Sequence, residues 1–198
     1  SIFPLKTAVC SPLLHHRDNR TMQHHNNAEI ADIKARMERQ LQAICQQYDF
    51  ADFTFPSFLA WVEKYRSRPI RLVPEKLAPQ FFGAWMAASD EDYIFYKEDT
   101  VSLHQGHILL HEMAHMLCGH PTLTLTEDVI AAHLRGELSI SSLLLRSTRS
   151  GEMEWEAEIL AALIQETIFA YERIQELTQV VLATAEDGEL YHAIGLLD

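Results

Sequence analysis

His111-Glu112-Met113-Ala114-His115 is the stretch on which the reading of this chain turns. Two histidines four residues apart share one face of a helix, so both imidazoles can reach a single ion. Glu112 is rotated from His111 by about 100°. It therefore stands beside such an ion without being its ligand, placed to act on a water molecule. This His-Glu-x-x-His pattern is the signature of zinc-dependent hydrolases.

Around the motif, Leu103, Leu109, Leu110, Met113, Ala114 and Leu117 give a helix with a broad apolar surface, starting at Asp99 or Thr100. Gly119 reads as its terminating glycine, with Pro121 as a stop signal. Upstream, Ile30, Ile33, Met37, Leu41 and Ile44 recur at helical spacing and predict a helix over Ala28–Tyr48. Ser57 is read as the cap of a second helix running to Tyr65. The period then changes. Ile70–Val73, Phe81–Ala87 and Tyr93–Tyr96 read as three strands of a small antiparallel sheet preceding the motif helix. Downstream, Glu127–Leu134 reads as a short helix and Glu152–Ala183 as a long one. Leu160, Leu163, Ile164, Tyr171, Ile174 and Val181 form the stripe of that long helix. The fold class is thus α+β and mainly helical. Residues 1–25 read as an irregular tail and 26–198 as one domain.

Composition narrows the function classes. Hydrophobic residues make up 47% of the 198, which is globular rather than disordered. No apolar run reaches the ~18–20 residues needed to cross a bilayer. The net charge is -12, and Glu152–Asp198 carries most of it, with Arg173 as its single basic residue. That balance repels nucleic acid and anionic membrane, and reads most simply as a solvated helix face. Cys10, Cys45 and Cys118 have no short pairing pattern, so neither a disulfide framework nor a cysteine zinc site is indicated. With no secretory signal legible, a cytoplasmic location is expected.

Two histidines rarely hold a catalytic zinc, which takes three protein ligands and an open position. A third histidine six residues beyond His115 would fall on Pro121, and His120 misses that place by one. The alternative supplier is Glu152-Met153-Glu154-Trp155-Glu156-Ala157-Glu158. Glu154, Ala157, Glu158, Ala161 and Gln165 fall on one helical face, whose alanines permit close approach of the motif helix. The order of preference for the third ligand is Glu154, Glu158, Glu152. Glu158, one turn after Glu154, is placed to accept the outer ring N–H of a ligating histidine. Glu156 is expected to point elsewhere. His104 and His107 lie on nearly the same face as His111 and His115 and read as ordinary polar residues near the helix start. Trp61, Trp85 and Trp155 read as core or site-wall residues.

His111-Glu112-x-x-His115-x-Leu117-x-Gly119-His120, followed by Glu154-x-Glu156-Ala157-Glu158-x-Leu160-Ala161, resembles the ImmA/IrrE family of bacterial metallopeptidases over roughly residues 26–170. The resemblance implies a compact zincin-like fold and a zinc ion held by His111, His115 and Glu154, with Glu112 as the catalytic base. It also implies a cytoplasmic regulator that cleaves a DNA-binding transcriptional repressor. This chain departs from the family pattern at Glu158, where Asp or Asn is usual, and at Leu163-Ile164-Gln165-Glu166, which replaces a Leu-Leu-x-Pro ending.

The expected function is therefore zinc-dependent endopeptidase activity on a specific protein partner, with Zn2+ as the cofactor and Mn2+ as its alternative. Glu112 would accept the water proton and pass it to the leaving amine. His133, Arg135, Tyr171, Tyr191 and His192 are the candidate oxyanion donors. By analogy with zincins, the strand Tyr93–Tyr96 is expected to offer its edge to an extended substrate. The rival from another class is a non-catalytic, zinc-stabilised module that controls a repressor or antitoxin by binding. A zinc hydrolase acting on something other than protein is the third reading.

Overall fold

The computed structural model describes residues 27–145 and 150–186, with side chains to residue 179. The expected tail, Cys10, Tyr191 and His192 lie outside the described residues. Helix α1 spans Asn27–Cys45 and buries Ile33, Met37 and Ile44. It ends three residues before Tyr48, whose ring joins an edge-on aromatic group with Phe50 (5.0 Å) and Phe58 (5.1 Å). A short 3-10 turn, Phe50–Asp52, leads to α2, Phe55–Arg66. The cap of α2 is Thr54, not Ser57. Thr54 Oγ1 accepts from the Ser57 N–H, and Ser57 Oγ accepts from the Thr54 N–H, each at 3.2 Å. Ser57 is the inner partner of this reciprocal pair, one turn inside the helix.

The sheet has four strands, not three, and is mixed rather than antiparallel. Strands β1 (Ile70–Glu75), β2 (Gly83–Ala87), β3 (Asp92–Lys97) and β4 (Leu123–Thr124) stand in the order β1-β3-β2-β4. The β2–β3 hairpin is antiparallel, with Trp85 opposite Ile94. Strand β1 lies parallel to β3, with Leu72 opposite Ile94, because the hairpin folds β3 back between its two predecessors. Strand β4 follows the motif helix and pairs only with Met86 and Ala87. Two residues are too few to show a period, which is why β4 is not legible as a strand.

Alternation along β2 separates two cores. Trp85 joins a large cluster formed with α1, α2, the motif helix and the last helix, together with Ile70 and Ile94. Ala84 and Met86 face a smaller cluster with Phe95, Leu77, Phe81, Leu125, Ile140 and Leu144. Helices α4 (Glu127–Leu134), at its expected bounds, and α5 (Ile140–Leu144) cover that second face. The motif helix α3 spans Ser102–Leu117, starting two to three residues later than expected, and is buried continuously from Ile108 to Leu117. The long helix α6 spans Gly151–Glu186. Its stripe holds the core through Leu160, Ile164 and Ile168 and then leaves it. Tyr171 and Ile174, members of the expected stripe, are exposed, as is Leu177.

One buried ion cluster pins the sheet to α2. Asp92 is fully buried and accepts from Arg66 Nε and Nη2, both at 2.8 Å, with Arg68 Nε at 3.3 Å. The Arg66 guanidinium also lies 4.7 Å from the centre of the Trp85 ring. Removing one member of such a set leaves charge unpaired, so Asp92→Ala is expected to lower stability by about 3 kcal/mol in denaturant unfolding. A loss below ~1 kcal/mol, the range of a surface pair, would contradict the assigned role.

Candidate metal centre

Helices α3 and α6 build the site together. Ala157 and Ala161 are fully buried, so α6 approaches α3 with no side chain larger than a methyl group at those two positions. That close packing brings Glu154 onto the histidine pair. Glu154 Oε2 lies 3.4 Å from His111 Nε2 and 3.7 Å from His115 Nε2, and the two Nε2 atoms are 3.1 Å apart. Tetrahedral ligands about 2.0–2.1 Å from a zinc ion stand about 3.3–3.4 Å from one another. The three observed separations bracket that value. These three residues form a group that could hold a metal ion.

The outer nitrogens are also engaged. Glu158 Oε2 lies 3.1 Å from His111 Nδ1, and Oε1 lies 3.2 Å from His107 Nε2. Glu158 thus lies on the outer side of His111, away from the Nε2 atom that Glu154 faces. Glu152, the last-ranked candidate ligand, is drawn off to Arg36 at 2.6 Å. His107 is tied into the site, with Gln165 Oε1 at 3.2 Å from its Nδ1, rather than being a bystander. His104 bonds Thr100 Oγ1 at 2.9 Å and packs on Phe82.

The electrostatics favour positive charge here. Burial opposes protonation of His111, but Glu154 and Glu158 outweigh it and lift its pKa to about 10. Burial likewise works against the Glu154 carboxylate, yet His111 and His115 hold it well below the usual carboxylate range. Glu158 is lowered in the same way, against burial, by His107 and His111. Two carboxylates that stay ionised around buried imidazoles suit a proton or a cation that displaces it. Cys118 is no competitor for that role. Burial and the nearby Glu156 push its thiol to about 12, and its Sγ packs 3.8 Å from Met37 Sδ.

Glu112 is buried beside this group but points to the sheet. Its Oε2 accepts from the Trp85 N–H at 2.8 Å. Gly83 makes room for it. A Cβ built there would meet Ile108 Cγ2 at 2.5 Å and Glu112 Oε1 at 3.1 Å, so the strand approaches α3 this closely only without a side chain.

Two sequence expectations change, the substrate edge and the oxyanion donors. Strand β3 lies between β1 and β2, so Tyr93–Tyr96 has no open edge to offer. His133 is held by Glu75 at 3.3 Å and the Leu138 carbonyl, and Arg135 by Glu137, so neither oxyanion candidate is directed to the site. Tyr171 lies exposed on α6, more than four turns beyond Glu154. Glu156 points away from the His111–His115–Glu154 group, as expected, and meets His120 at 2.8 Å, while His120 Nδ1 meets His115 Nδ1 at 2.7 Å. The signal for His120 was present in Gly119. A glycine terminating α3 at positive φ (70°) forms a turn whose next residue contacts the helix three positions before the cap, and that residue is His115.

No protein-family model matches the chain, and neither a curated protein nor a solved structure does.

Proposed function

We propose that the protein is a zinc-dependent metallopeptidase of regulatory type that cleaves a specific protein partner inside the cell, in keeping with its resemblance to the ImmA/IrrE family. The observation that carries this reading is the His111–His115–Glu154 triangle of 3.1, 3.4 and 3.7 Å, with Glu112 on the adjoining face of α3. Three protein donors, two imidazoles and one carboxylate, are the set of hydrolytic rather than structural zinc sites. His111, His115 and Glu154 would hold the zinc ion, which would supply Lewis acidity toward a carbonyl and acidify a water toward pKa ~7. Glu112 takes the water proton and returns it to the leaving amine. The Trp85 N–H donates to Oε2 of Glu112 and so restrains the side chain. Glu158 fixes the ring of His111.

Strand β2, rather than β3, is the strand beside Glu112. Its pairing with β4 reaches only Met86 and Ala87, so Gly83 lies beyond that pairing. An extended substrate adding to the sheet at Gly83 would pass Glu112. Among the described residues no helix is long and apolar enough to cross a membrane, and the acidic charge balance does not favour nucleic acid. A protein substrate, such as a DNA-binding repressor, is therefore preferred.

The test is to incubate zinc-loaded protein with candidate partners and to sequence the products. Discrete fragments that a chelator abolishes are expected. Release of an intact partner at stoichiometric protein would instead establish the non-catalytic binding module.

A further inference from the structure

The metal reading leaves unexplained why four more residues, on three elements, are lined up behind His115. Arg36 of α1 donates to Glu152 Oε1 at 2.6 Å and to Glu156 Oε1 at 2.8 Å. Glu156 Oε2 meets His120 Nε2 at 2.8 Å, and His120 Nδ1 meets His115 Nδ1 at 2.7 Å. His115 is fully buried, and its Nε2 faces Glu154 and His111. The backbone fixes the same pair, because the His120 N–H bonds the His115 carbonyl at 3.0 Å.

With His120 neutral, these contacts have one consistent proton arrangement. The Glu156 carboxylate, paired with Arg36, can only accept, so His120 Nε2 must donate. A neutral His120 then has a bare Nδ1, which accepts the N–H of His115 Nδ1. With its proton fixed on Nδ1, His115 presents a bare Nε2 to the site. Nε2 is the atom a metal needs, and a ring free to place its proton there would block it.

We infer that His120, backed by Glu156 and Arg36, is a positioning residue that sets the tautomer of His115 and so primes it as a ligand. Unlike the usual carboxylate behind a histidine ligand, the partner here is a second imidazole, and the carboxylate acts one ring further away. This places α1 in the site's support, since Arg36 ties the relay to a helix that contributes no ligand. The inference rests on the metal reading and deepens it.

Two substitutions separate the hydrogen bond from packing. His120→Leu places an apolar residue at a turn position that favours one and removes the acceptor. His120→Asn returns an acceptor oxygen near the place of Nδ1. Zinc affinity, measured by competition with a chromophoric chelator, is expected to fall about 10–100-fold in His120→Leu. Most of that loss is expected to return in His120→Asn, with both variants showing the helical content of the parent. Long-range 1H–15N spectra of the metal-free parent should show His115 protonated on Nδ1, and His120→Leu should lose that signature. Equal zinc affinity in the parent and His120→Leu, or a parent His115 protonated on Nε2, overturns this inference alone. A parent that binds no zinc overturns the metal reading beneath it.

Discussion

Glu112→Gln is expected to keep its zinc and to lose proteolysis by roughly 10²–10⁴-fold, the usual contribution of a positioned general base. Glutamine has the same shape and can still accept the Trp85 N–H through its amide oxygen, so the contact between α3 and β2 persists. It cannot take a proton. Because Glu112 lies outside the His111–His115–Glu154 triangle, metal content should be unchanged. Matched zinc stoichiometry with turnover at the parent level would remove Glu112 from the mechanism. Zinc lost together with activity would show that Glu112 helps to hold the ion instead.

The second large effect belongs to Glu154. Glu154→Ala removes one of three ligands, leaving two imidazoles, which rarely suffice for a catalytic ion. Zinc affinity should fall by more than the ~10–100-fold that loss of an outer partner costs. The corresponding change at Glu158 should stay within that range, since Glu158 reaches His111 at its outer nitrogen and otherwise pairs with His107. Competition titrations on the two variants check the ranking. A larger loss at Glu158 than at Glu154 would reverse their roles.

The two-helix geometry was legible because helices have a fixed period. His111 and His115 at i and i+4, and Glu154, Ala157, Glu158 and Ala161 on one face, determine which groups can meet once α3 packs on α6. What was not legible depends on contacts distant in sequence. The parallel pairing of β1 with β3 is set by how the β2–β3 hairpin folds back, which no local pattern records. Strand β4 is defined by Met86 and Ala87 rather than by its own two residues. Placement of β3 between β1 and β2 left Tyr93–Tyr96 without an open edge. Arg36 gave no sign of its role, because its partners Glu152 and Glu156 lie more than a hundred residues away. On α6 the apolar stripe continued past Ile168 in sequence, but there the helix has run beyond the core it packs against.

Occupancy of the triangle by metal is the claim from which the rest follows. Metal-depleted protein should be titrated with zinc and the product measured by X-ray absorption at the zinc edge. The account predicts one zinc per chain, bound by two imidazoles and one carboxylate oxygen at about 2.0–2.2 Å, with a further light-atom ligand and no sulfur. Failure to bind zinc stoichiometrically, or a sulfur shell at about 2.3 Å, would contradict it.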